Sequence, residues 1–232
     1  MSANDLTPEA VSQPAVERLD RSQFIARTYM HFLGALLLFG AIEYGLFSTP
    51  YAEQLALLML QGSWLVILGA FIIVSWIASS VAHRVESTGA QYLALGGFVL
   101  AESIIFVPMF YLAMMIGPEL IEKAVLITLA AFVALTAVVM ITGRDFTFLR
   151  SFLLWAGVVA LGTIALGVVA GFELGTYFSM AMIGLAGASI LYDTSKIMRS
   201  YPDDRYIAAA LELFASFALM LWYVLRLLLS RR

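Results

Sequence analysis

Three carboxylates occupy apolar runs long enough to cross a bilayer, and their chemistry organises the chain. Asp193 lies in Ile190-Leu-Tyr-Asp-Thr-Ser-Lys-Ile197, Glu212 in Tyr206-Ile-Ala-Ala-Ala-Leu-Glu, and Glu102 in Ala90–Met115. A charged carboxylate at the centre of a membrane helix costs roughly 2.5–3.5 kcal/mol even on the lenient insertion scale, so such residues face protein or water and usually have a task. Counted at 1.5 Å per residue, Asp193 lies ~8 Å from Met198 and Glu212 ~9 Å from Tyr206. Their segments are joined by the short break Tyr201-Pro-Asp-Asp-Arg and should be antiparallel neighbours. At matching depth the two carboxyls can meet and share one proton. Protonation would hold the helices closed, and loss of the shared proton would push them apart. The alternative pairs Asp193 with Lys196, three residues on, and lets Glu212 snorkel to the headgroups.

Glu102 is the deepest acid, ~18 Å from the start of its segment, with Pro108 following. A central carboxyl on a kinked helix suits an ion or proton path; otherwise it is a protonated acid hydrogen-bonded to a neighbouring helix. Glu43, near the outer end of the first apolar run, reads as interfacial. His31, about two turns from the cytoplasmic face, reads as a packed, hydrogen-bonded residue before a ligand.

The elements that must position these groups follow from composition. Of the 232 residues 62% are hydrophobic and 12% charged, and the mean hydropathy is +0.93. This is the composition of an all-α polytopic membrane protein. Residues 1–23 are polar and carry mixed charge, and they read as a cytosolic tail. Residues 24–232 read as a transmembrane domain of seven helices, near Phe24–Phe47, Leu58–Ala82, Ala90–Met115, Ala124–Thr142, Phe152–Gly171, Thr176–Met198 and Tyr206–Leu229. Each break carries a Gly, a Pro or a charge.

With the N-terminus inside, Arg18, Arg21, Arg27, Arg84, Arg144, Arg150, Lys196, Arg199 and Arg205 fall on the cytoplasmic side. Lys123, Arg226, Arg231 and Arg232 fall outside. That asymmetry sets the N-terminus in the cytoplasm and the C-terminus out. Gly167 with Gly171, and Gly184 with Ala188, have the four-residue spacing that lets membrane helices approach closely.

Other chemistries find little footing. No cysteine is present, so thiolate metal sites and nucleophiles are excluded. No basic run suggests nucleic acid. Neither Gly-x-Ser-x-Gly, His-Glu-x-x-His nor a Gly-rich phosphate loop occurs, so an enzyme is not expected. No cofactor is implied.

Gly143-Arg-Asp-Phe-Thr-Phe-Leu, Leu191-Tyr-Asp-Thr-Ser-Lys-Ile, Tyr206-Ile-Ala-Ala-Ala-Leu-Glu-Leu-Phe and the C-terminal Leu-Arg-Leu-Leu occur in that order. Together they resemble the Bax inhibitor (TMBIM) family, and most of all its bacterial YccA branch. The resemblance implies a seven-helix fold with a central C-terminal helix in the inner (plasma) membrane. It implies one of two roles: binding and restraint of an FtsH-like membrane protease, or a pH-sensitive calcium leak controlled by an aspartate pair, with Ca2+ as the permeant ion. Asp193 matches the first aspartate of that pair. The second falls at Ser216 and the asparagine that commonly follows it at Leu219, so the family's di-aspartate gate is incomplete. Glu212, one turn nearer the cytoplasm, could replace the missing acid. The protease-modulator role is taken first, on the polar tail and the missing aspartate; the leak is the alternative, on the three acids. Besides membrane lipid, the expected partner is a membrane protease complex.

Overall fold

The computed structural model describes residues 8–62, 64–85, 87–172 and 174–231. These form eight helices: α1 (Pro8–Phe47), α2 (Tyr51–Gln61), α3 (Trp64–Arg84), α4 (Thr88–Ile116), α5 (Glu119–Thr142), α6 (Leu149–Ala170), α7 (Thr176–Arg199) and α8 (Tyr206–Leu229). No strand occurs among the described residues. The predicted breaks stop helices for the expected reasons. Gly143 and Gly171 cap α5 and α6 at φ +59° and +71°, a left-handed backbone that glycine adopts without a Cβ penalty. Ser87 caps α4 by accepting from the Ala90 N–H, and Pro118 opens α5, where a missing N–H costs nothing.

Seven of these helices are long, and successive ones run in alternate directions. At one end Arg21 of α1 donates to the Tyr201 carbonyl at 2.5 Å and binds Asp203, His83 at the end of α3 meets Tyr201, and Arg199 at the end of α7 binds the Gly143 carbonyl. At the opposite end Tyr111 of α4 donates to Glu53 of α2 at 3.2 Å, and Arg226 of α8 donates to the Leu174 carbonyl at 2.7 Å. The first of these is the arginine-rich end.

Two sequence expectations change. The second predicted span, Leu58–Ala82, is divided at Gly62, which caps α2, and the 11-residue α2, at ~16 Å, is too short to cross a bilayer. The helix of the first span begins at Pro8, so residues 8–23 continue α1; residues 1–7 of the expected tail lie outside the described residues. Among the described residues five helices are long and apolar enough to cross a membrane: Asp20–Phe47, α4, α5, α6 and α8. α7 falls short because its polar stretch, Tyr192-Asp-Thr-Ser-Lys, lowers its hydropathy.

The C-terminal helix is the axis of the bundle. α8 packs against α7, α1, α4, α5 and α3, and 15 of its 24 residues are buried. Phe214 meets Phe39 of α1 and Phe98 of α4 edge-on, and Phe217 meets Phe32 and Phe132. α6 is the contrast, with only Ala160 and Gly167 buried.

Candidate functional site

The polar residues that α7 and α8 turn toward each other form two layers. In the deeper layer Asp193, 7% exposed, accepts a 2.6 Å hydrogen bond from the Ser216 hydroxyl. One turn nearer the arginine-rich end, Lys196 Nζ donates to both oxygens of Glu212 at 2.9 and 3.1 Å. His83 Nε2, from the end of α3, approaches the same carboxylate at 2.8 Å. Its Nδ1 lies 2.7 Å from the Ser79 carbonyl oxygen. A carboxylate at Nε2 and a carbonyl at Nδ1 favour the doubly protonated ring. Glu212 is therefore an anion held between two cations.

Tyr201 completes this outer layer from the α7–α8 turn. Its hydroxyl stands 2.8 Å from His83 Nε2 and is hydrogen-bonded to Glu212. Burial, and then the nearby Glu212 charge, hold the phenol well above its ordinary range, so it stays a donor. Lys196 Nζ lies 4.6 Å from the centre of the Tyr201 ring, close enough for cation–π attraction. One carboxylate thus ties α3, α7, α8 and their turn into a clasp.

Below the clasp, Asp193 has hydroxyls for company. Tyr29 of α1 lies near Asp193 and faces Thr194 of α7 and Thr136 of α5. The hydroxyls of Tyr29, Thr194 and Thr136 are all buried without a hydrogen bond of good geometry. A lone carboxylate among hydroxyl oxygens offers the oxygen donors that protons and hard cations prefer. No group of three or more His, Cys, Asp or Glu that could hold a metal occurs among the described residues.

The sequence-derived pairings are corrected by register. Counting residues inward from each helix end sets Asp193 beside Glu212, but the six-residue turn offsets the two helices. The actual register opposes 193 with 216 and 196 with 212. Lys196 accordingly neutralises Glu212 in place of Asp193. Ser216, where a second aspartate was expected, is the residue that faces Asp193. His83 and Tyr201 were missed: both sat in polar breaks, and only the chain's return to the arginine-rich end brings them together.

The remaining acids lie elsewhere. Glu102 is 7% exposed on α4 and has no hydrogen bond or ion pair among the described residues. Glu43, near the outer end of α1, is turned into the bundle: it is 6% exposed, and neither carboxyl oxygen has a partner among the described residues. α1 turns it inward on the face that carries Phe39, which packs on Phe106 and Phe110. His31 is packed as expected, 2.7 Å from both the Arg27 carbonyl and the Tyr92 hydroxyl. Neither Gly167 nor Gly184 is a point of close approach by another helix of this chain. A Cβ on Gly167 would meet its own following loop at Phe172, and one on Gly184 would meet nothing within 4 Å.

Sequence similarity to known proteins supplies the family. A Vibrio cholerae protein described as an uncharacterized membrane protein is 32% identical over 111 residues, which cover 45% of this chain and 47% of that protein. The match thus spans about half the length of the relative. The sequence profile of the family described as "Inhibitor of apoptosis-promoting Bax1" matches residues 21–232, nearly the whole helical bundle. The chain is a membrane protein of the Bax inhibitor family.

Proposed function

We propose that this protein is a pH-responsive leak for calcium or a similar cation, crossing the membrane seven times through α1 and α3–α8 with its N-terminus in the cytoplasm. The observation that carries the reading is the layering of Asp193 beneath the clasp. Asp193 and its hydroxyl neighbours supply a place for a cation inside the bundle, and Glu212 with Lys196 and His83 closes the way to it from the arginine-rich end.

The clasp fixes the sign of the response. Its attraction needs an anionic Glu212; acid protonates that carboxylate and leaves the Lys196 and His83 cations facing each other. Flux should therefore rise as pH falls, opposite to the shared-proton latch expected from sequence. The test is calcium flux into liposomes holding the purified protein, from pH 5 to 8. Wild type should leak more at low pH, and Asp193→Asn should conduct little at any pH. An Asp193→Asn flux equal to that of wild type would sink the reading.

Restraint of a membrane protease is the second reading. It is favoured by the helix that continues through Pro8–Asp20, about 20 Å of α1 before the Arg21 anchor. Deleting residues 2–20 should then lengthen the protein's lifetime in cells without changing flux; an unchanged lifetime would argue against it.

A further inference from the structure

A large cavity lies away from the acids, on the outer side of α7. α6 packs on α7 and α3 but not on α5, and the fissure left between α5 and α6 holds about 610 Å³. Ala131 and Leu135 of α5 form one wall, Gly184, Gly187 and Ala188 of α7 the back, and Met220 of α8 the floor. Further along the same α5–α7 seam a second cavity of about 170 Å³ is lined by Gly143, Arg144, Met198 and Arg199. Arg144, Arg150 and Arg199 are exposed at that end and form no ion pair among the described residues. The single acid of the connecting loop, Asp145, accepts from the Thr147 N–H at 2.8 Å and faces Arg199 without an ion-pair contact.

We propose that this fissure is a binding site for one anionic phospholipid, an acyl chain lying on Gly184, Gly187 and Ala188 and the phosphate on Arg144, Arg150 and Arg199. Length and closure favour lipid over a partner helix. From Gly184 to Leu191 the apolar part runs only ~10 Å, one leaflet's share of a ~30 Å core, whereas a crossing helix needs the full thickness. The α5–α6 loop then shuts the groove: Phe146 N–H donates to Ser195 of α7 at 3.0 Å, and Arg199 binds the Gly143 carbonyl. A helix would be blocked there, while a lipid ends there in its headgroup. Phe148, exposed beside the mouth, suits the headgroup boundary.

The test measures the phospholipid that co-purifies with the full chain from vesicles of equal phosphatidylglycerol and phosphatidylcholine. Wild type should retain phosphatidylglycerol in preference. In Arg144→Gln/Arg199→Gln that preference should fall about fivefold per arginine, since each basic residue near an anionic surface contributes about 1 kcal/mol. Gly184→Leu should lose both lipids. Its new side chain starts in open space and leucine is the better helix former, so an unchanged melting temperature should accompany the loss. Equal retention of the two lipids by wild type would overturn the headgroup site, and undiminished retention by Gly184→Leu would overturn the groove. A wild-type dimer that Gly184→Leu dissociates would assign the groove to a helix instead. Should Gly184→Leu fail to fold, the arginine variant decides alone, because its side chains lie outside the core.

Discussion

Two pairs of acids inside the helices divide the bundle. On the α7–α8 seam, Glu212 has three hydrogen-bonding partners and Asp193 has Ser216. On α1 and α4, Glu43 and Glu102 are buried as deeply as Asp193, yet among the described residues neither carboxyl has a hydrogen-bond partner. The difference teaches that depth in the membrane does not assign a role to a carboxylate; the donors around it do. A partnered carboxylate carries a charge that holds helices together, whereas one without donors adds no bond whose loss would be felt.

The comparison breaks most visibly at Glu212. Replacing it by Ala strands two cations in a partly buried site. Removing one partner of a fully buried pair costs 3–5 kcal/mol, and with one fifth of the Glu212 side chain exposed a loss of about 2 kcal/mol is expected in thermal or denaturant unfolding in detergent. Ser216→Ala leaves Asp193 without its donor and should cost about 1–2 kcal/mol. Glu43→Gln and Glu102→Gln remove no hydrogen bond found among the described residues and should stay within ~0.5 kcal/mol. A loss at Glu102 as large as that at Glu212 would erase the distinction.

The smallest effect lies outside the helices, at Asp145. The Thr147 N–H holds its carboxyl below the usual 3.8, so its contribution is complete at neutral pH and disappears only as pH falls through that depressed value. Asp145→Asn should therefore lose a small increment of stability at pH 7 and converge with wild type at the acid end of the profile. Equal stability of the two at pH 7 would mean that neither Thr147 nor Arg199, which faces Asp145, favours the charged carboxylate.

Much of this was legible in the chain. The last span, Tyr206–Leu229, coincides with α8, because an apolar run bounded by Pro202-Asp-Asp and a terminal arginine leaves little choice of ends. Span four was set five residues late, at Ala124, since Glu119, Glu122 and Lys123 hide the first turns of α5 from a hydropathy reading. The acids themselves were found by type and depth, but their partners were not. A shift of one turn between α7 and α8 exchanges Glu212 for Ser216 opposite Asp193, and single-helix counting does not fix that register. His83 and Tyr201 are 118 residues apart, and no local pattern joins them.

The most direct measurement of the central claim is calcium flux at pH 7 through Lys196→Met in liposomes, beside wild type. Lys196 touches the clasp but not Asp193's hydrogen-bonded layer, so its loss should loosen the seal and leave the interior site intact. The account predicts a leak at pH 7 that wild type reaches only in acid. A Lys196→Met protein that remains folded and leaks no more than wild type would contradict it.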